Sequence, residues 1–233
     1  MEQKCQSGRF PYGTGNVDFG KHISVPKQRF SLINDEMAEL PHSLYEKYKY
    51  IKDAVVTVDL KQSGIIGIIG TRDHICRTLM NVMIQISALH CYTDVRMAFF
   101  FNENEYSEYS RLRWLPHFSS EDMKLRMIAC DRISRQNVLY HIDEVLRRRT
   151  EFLNEDSGRK SILPHYVVIC TDRDIFDGDS IEKYIPMAEQ LGFTFILAYG
   201  RLDKLPNECS RIIQCDSDFT GVYDLKSKRG NTD

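Results

Sequence analysis

The chain has 233 residues, 42% hydrophobic and 27% charged, with 31 Lys and Arg against 33 Asp and Glu for a net charge of −2. That balance supports a packed globular core and excludes wholesale disorder. It also lacks the basic footprint of a protein that grips nucleic acid non-specifically. No apolar run approaches the roughly 20 residues that span a bilayer, and the polar opening Met1-Glu2-Gln3-Lys4 does not read as a signal peptide. Cysteines stand at Cys5, Cys76, Cys91, Cys130, Cys170, Cys209 and Cys215, an odd number with no C-x-x-C pair. They read as reduced thiols of a cytosolic protein rather than as a zinc site or a disulfide scaffold.

Residues 1–33, with Gly13, Gly15 and Gly20, read as an extended or hairpin-like lead-in. Asn34-Asp35-Glu36 then supplies capping and acidic first-turn residues. Met37, Leu40, Leu44 and Tyr48 follow on one helical face, with Pro41 as a point of kinking. Ala54–Leu60 is a β-branched run. Ile65-Ile66-Gly67-Ile68-Ile69 is apolar at both parities, which predicts a strand buried on both faces, as in a parallel sheet covered by helices. Ile75, Leu79, Val82, Ile86 and Leu89 predict a helix packed by one face, and Val95–Phe101 a second buried strand, completing a βαβ unit.

After the polar stretch Asn102–Arg113 and Trp114-Leu115-Pro116-His117, a long helix is predicted through Val138, Ile142, Val145, Phe152 and Leu153. Tyr166–Cys170 and Phe193–Tyr199 are further buried strands. Between them Ser180–Leu191 reads as a helix stopped by Gly192. Ile212–Cys215 and Val222–Leu225 read as a terminal hairpin, and Lys226–Asp233 as a polar tail. The alternation gives an α/β, mostly parallel sheet flanked by helices, spanning residues 34–225.

A buried strand, a glycine and a helix start form the arrangement that holds phosphate in many α/β proteins. A working phosphate loop needs G-x-x-x-x-G-K-[ST]. Here the strand runs into Gly70-Thr71-Arg72-Asp73-His74-Ile75-Cys76-Arg77-Thr78. Ile75 takes the second glycine's place, Cys76 the lysine's and Arg77 the hydroxyl's, and Asp73 brings a negative charge. Sliding the register lets Arg72 or Arg77 stand in for the lysine and Thr78 reach a metal, but nothing replaces the glycine. The strand that would carry the Mg²⁺-orienting acid ends in Thr171-Asp172, with a hydroxyl at the first acidic position. Both segments have the setting of an NTPase without its catalytic groups.

The ordered set Arg9-x-x-x-Gly13-x-Gly15, Val58-Asp59-Leu60, Gly64–Gly70, Gln85-Ile86-x-Ala88-Leu89-His90, Asp94-Val95, Trp114-Leu115-Pro116-His117 and Leu205-Pro206-x-x-Cys209 resembles one family. It is similar to the domain between the transmembrane helices and the first motor domain of EssC/EccC membrane ATPases, which drive type VII secretion in Gram-positive bacteria and mycobacteria. The resemblance implies a P-loop NTPase-like (RecA/FtsK-like) fold and a place on the cytoplasmic face of the cell membrane, attached through preceding helices. It further implies FtsK/SpoIIIE-like motor domains following, and contacts with other core subunits of the secretion system. Taken with the missing loop residues, it leads to the expectation of a non-catalytic domain without cofactor that couples the motors to the membrane complex. The alternative is a domain that still binds ATP and Mg²⁺ or hydrolyses ATP slowly. Kinship to DNA translocases raises a DNA-handling module, against which the charge balance counts.

Trp114, the only tryptophan, reads as a loop anchor in the core, with an interface hot spot as the second reading. Arg147-Arg148-Arg149, with Arg159 and Lys160 beyond, reads as a solvated helix end that could meet acidic lipid or an acidic partner. His90 and His117 read as capping or core residues, no third ligand having metal-site spacing. Cys76, in the first turn of its helix, is a place where a thiol pKa could fall.

Overall fold

A computed structural model describes residues 9–18, 25, 36–155, 162–176, 181–217 and 220–225. The sequence readings of the tail from Lys226, of Arg159 and Lys160, and of much of the lead-in lie outside them. The chain divides into two compact units, Pro11–Val58 and the residues from Asp59 onward together with the first ten.

In the smaller unit, strand β1 (Arg9–Asp18) pairs with β2 (Tyr50–Asp59) in a two-stranded sheet, and helix α1 (Glu36–Tyr48) lies between them in sequence. Pro41 sits inside α1. The helix continues through it as one element, although a proline at the sixth position lacks the donor that would reach back four residues.

The larger unit is a seven-stranded sheet in the order β5-β4-β6-β7-β3-β8-β9. Its members are β3 (Ile65–Gly70), β4 (Val95–Phe100), β5 (Ile128–Ala129), β6 (His165–Cys170), β7 (Phe193–Gly200), β8 (Arg211–Cys215) and β9 (Thr220–Asp224). Every pairing is parallel except β8 with β9, which forms the predicted hairpin. The helices are α2 (Arg72–Leu89), the short α3 (Tyr106–Tyr109) and the long α4 (Arg132–Glu155).

All residues of β4 and β6 are buried; most are apolar at both parities, while Arg96 donates to the Ser119 carbonyl at 2.6 Å and His165 Nε2 lies 2.9 Å from the Thr194 hydroxyl. Val138, Ile142, Val145 and Leu146 of α4 join alternate strand residues, among them Ala98, Phe100, Tyr166, Val168, Phe193 and Phe195, in one core. The strand residues between these, such as Phe99, Val167, Ile169 and Ile196, are equally buried. Ile75, Leu79, Val82, Met83 and Ile86 of α2 form that helix's buried face. A sheet with helices on both faces is the predicted α/β class.

The predicted βαβ unit is β3–α2–β4, with β7 and β6 lying between its two strands. One prediction needs correction in detail. The helix predicted over Ser180–Leu191 is a 3₁₀ segment, Glu182–Met187, containing Pro186. Proline removes the donor that an α-helical turn needs there. The chain then turns at Gly192, where φ is +70°.

The described cysteines are all free thiols. Burial pushes the Cys170 and Cys209 thiols up to about 12. Burial, followed by a hydrogen bond to the Glu108 carboxylate, also raises Cys76, against the lowering its helix start suggested.

Candidate functional site

Parallel strands bring their carboxyl ends to one edge of a sheet, where α/β proteins place their ligands. Here a cavity of about 230 Å³ lies at the ends of β3, β6 and β7, lined by residues that include Gly70, Arg72, Glu105, Thr171, Tyr199 and Arg201. The predicted glycine, arginine and strand-end threonine therefore meet. Asp73, Arg77 and Thr78 do not line the cavity. Asp73 and Arg77 are exposed, and Thr78 is half-buried.

The turn from β3 to α2 is a single residue, Thr71. The helix begins at once, with Ile75 N–H donating to the Thr71 carbonyl at 2.9 Å. The Thr71 hydroxyl does not cap the helix and lies 2.6 Å from His74 Nδ1 instead. Gly70 has φ +144°, and a Cβ built on it would stand 2.1 Å from the Cys215 carbonyl oxygen. Its glycine is thus required by the close approach of β8, without reference to any ligand.

Glu105, only 5% exposed, is the centre of the cavity's polar groups. One carboxylate oxygen, Oε1, is 2.7 Å from a guanidinium nitrogen of Arg72. The other, Oε2, accepts from the Asn102 N–H at 2.9 Å and the Thr171 hydroxyl at 3.0 Å. Asn102 Nδ2 in turn donates to Asp172 Oδ2 at 2.9 Å. Arg135, from α4, donates to the Phe101 carbonyl at 3.0 Å and to Asn102 Oδ1 at 3.2 Å. Asp172 also receives the Asp174 N–H at 3.2 Å, so it caps the 3₁₀ turn that follows β6. Across the cavity, Arg201 is held by both oxygens of Asp203, at 2.9 and 3.1 Å. The two arginines lining the space are each matched by a carboxylate, so the pocket offers little unbalanced positive field.

Glu105 and Asn102 were absent from the sequence reading, which took Asn102–Arg113 as a polar connection. The acidic cluster directly after the buried strand β4 is the signal that could have found them. It becomes informative once β4 is known to lie beside β6.

The candidate surface residues separate in the structure. Trp114 is 72% exposed, which corrects its reading as a core anchor. Its neighbours Leu112 and Phe118 are the buried ones, and the Arg113 guanidinium stacks on the indole at 4.9 Å. Arg147 and Arg148 are solvated and paired one turn away with Glu151 and Glu144. Arg149 is buried, so the triple-arginine patch is a pair. Its guanidinium donates to the carbonyls of Pro164 at 2.6 Å, Leu191 at 2.8 Å and Gly192 at 3.3 Å, and lies 5.1 Å from the centres of both the Tyr166 and the Phe193 ring, which stack on each other. Burial lowers its pKa to about 10.

His117 Nε2 lies 2.9 Å from the His90 carbonyl, within the core reading for that pair. Among the described residues, no group of three metal-ligating side chains converges.

No profile of a known protein family matches the chain. It is 27% identical over 98% of its length to the ESX secretion system protein EccC of Geobacillus thermodenitrificans. It is 25% identical over 93% to YukB of Bacillus subtilis, and 26% over 94% to the type VII secretion system protein EssC of Staphylococcus aureus. The chain spans only 14–16% of the length of these relatives. Among solved structures, EssC ATPases 2 and 3 from G. thermodenitrificans superpose with a TM-score of 0.63 at 15% identity, covering 91% of this chain and 37% of that one. The cytoplasmic domain of EssC gives 0.55 at 16% identity, over 77% and 38%. The fold is therefore that of the P-loop ATPase domains, and by sequence the chain is similar over nearly its whole length to one segment of the EssC/EccC proteins of type VII secretion.

Proposed function

We propose that this domain is a non-hydrolysing, ATPase-like part of a type VII secretion ATPase. In this reading it couples motor domains elsewhere in the protein to the membrane complex, at the cytoplasmic face of the membrane, and contacts other components of the secretion system. The observation that carries the reading is the one-residue passage from β3 to α2. A phosphate cradle is built from successive main-chain N–H groups of a wide loop, and one residue cannot wrap a triphosphate. Two further observations support it. The residues that would orient Mg²⁺ are Thr171, whose hydroxyl is committed to Glu105, and Asp172, committed to Asn102 and to its own turn. Glu105 would also face the γ-phosphate charge at short range.

Titration calorimetry of the chain with Mg·ATP is expected to show no saturable heat at sub-millimolar nucleotide. Micromolar binding that disappears in Arg72→Ala or Asp172→Ala would overturn the reading in favour of a nucleotide-binding domain.

The coupling role predicts a different set of sensitive residues. Trp114→Ala should change the unfolding free energy by no more than about 0.5 kcal/mol, as for a surface site. It should nevertheless weaken co-purification of the parent ATPase with the secretion complex, because exposed Trp beside Arg is typical of interface anchors. The double variant Arg147→Glu/Arg148→Glu tests the second surface in the same assay. Full assembly in both variants would count against partner contacts through these faces.

A further inference from the structure

We infer that Glu105 is an internal counter-anion: its carboxylate occupies, against Arg72, the place of a phosphoryl group, and its charge keeps the strand-end pocket closed to phosphate. The inference rests on the non-hydrolysing reading above and gives it a cause beyond missing residues.

The ion pair is asymmetric. Glu105 is buried and Arg72 is 60% exposed, yet they meet at 2.7 Å. The carboxylate is fixed independently of Arg72, by the Asn102 N–H and the Thr171 hydroxyl on its other oxygen. The arginine therefore comes to an anchored anion, rather than the anion to the arginine.

Arg72 is the first residue of α2. First-turn N–H groups have no partner within a helix, and the helix dipole favours negative charge beside them. A carboxylate and a phosphoryl group present the same paired acceptors to a guanidinium. The pocket thus already holds one anion in its anion position. A second would have to approach that buried charge at short range, where screening is weak.

Neutralising Glu105 reverses the balance. Arg72 would then face the cavity without its carboxylate partner, beside the start of α2. The remaining acids near it include Asp73 in the first turn of α2, Glu108, bonded to the Cys76 thiol, Asp172, bonded to Asn102, and Asp203, bonded to Arg201. At about 230 Å³ the space lies below the roughly 300–1,000 Å³ of small-molecule sites, so pyrophosphate is a better probe than a nucleotide.

The test is calorimetric titration of sodium pyrophosphate, at fixed ionic strength, into the wild-type chain, Glu105→Gln and Glu105→Gln/Arg72→Met. Glutamine keeps the size and an acceptor for Asn102 and Thr171 while removing the charge. At least tenfold tighter binding in the Glu105→Gln variant than in wild type, lost in the double variant, is the expected result. Equal affinity in wild type and Glu105→Gln, or a gain that survives loss of Arg72, overturns the inference.

If Glu105→Gln does not fold, Glu105→Ala leaves a gap where the carboxylate stood. Pyrophosphate should then raise its melting temperature beyond the effect of chloride at equal ionic strength, and no such difference also overturns the inference. Wild-type binding of Mg·ATP would refute the functional reading. Silence of both wild type and Glu105→Gln leaves that reading standing and removes only this one.

Discussion

Arg149→Met is expected to lower the unfolding free energy of the domain by about 3–5 kcal/mol, read from urea denaturation followed by circular dichroism. Methionine keeps much of the apolar stem but none of the donors. The Leu191 and Pro164 carbonyls then lose a charged donor at 2.8 and 2.6 Å inside the protein. A buried acceptor left without its partner costs about 1–3 kcal/mol. The guanidinium beside the stacked Tyr166 and Phe193 rings adds about 0.5–2 kcal/mol. The Gly192 carbonyl is less exposed to the change, because it also accepts the Tyr166 N–H at 3.0 Å. Substituting a buried ion by an apolar residue is often tolerated when its partners are replaced too. Here the partners are main-chain carbonyls and stay. Arg147→Met and Arg148→Met, on the solvated side of the same helix, should each change stability by less than about 0.5 kcal/mol. A variant at 149 as mild as these would refute the clamp.

Gly70→Ala is the second change with a large expected effect, a loss of about 2–6 kcal/mol. It combines a strained backbone region, about 1–3 kcal/mol, with overpacking of similar size. The added Cβ would lie 2.1 Å from the Cys215 carbonyl oxygen and 2.8 Å from its carbon. Both are main-chain atoms of the neighbouring strand, so relief requires β3 and β8 to separate. Gly67→Ala is the control: its Cβ would meet Leu205 Cδ1 at 2.4 Å, the movable end of a side chain. Thermal melts should rank Gly70→Ala well below Gly67→Ala. Equal melting temperatures would mean that Gly70 is not required by the strand contact.

The strands were legible because burial on both faces leaves an unmistakable trace. Ile65–Ile69 and Tyr166–Cys170 are apolar at odd and even positions alike, Val95–Phe101 and Phe193–Tyr199 are so but for Arg96 and Thr194, and each is an inner strand. β5, two residues long, has too little pattern to be seen. The segment around Pro186 carries the apolar spacing of a helix, but the proline lacks the donor that an α-helical turn needs there.

Half of the candidate site was visible. Gly70, Arg72 and Thr171 follow from the strand ends. Glu105 does not, because its role depends on β4 lying beside β6, and strand order is set by packing rather than by local pattern. Arg149 was misplaced for a different reason. Read as part of a charged run, it looked solvated. Read by helical phase, it follows Ile142, Val145 and Leu146 on the buried face. Trp114 shows the reverse case, a large apolar residue that faces water while Leu112 and Phe118 supply the anchorage.

The position of β3 in the sheet governs the order in which the domain can be completed. Ile66 lies opposite Ile196 on one side and Arg211 on the other, so both neighbours of the strand come from much later in the chain. Parallel partners cannot be supplied by a tight turn, and such distant closures slow folding. A ribosome making this protein exposes an apolar strand early and cannot shelter both its edges until β8 has left the exit tunnel. Nascent chains halted before Cys215 therefore present Ile65–Ile69 with an open edge, the form in which this domain is most dependent on chaperones and most prone to pair with another copy of itself.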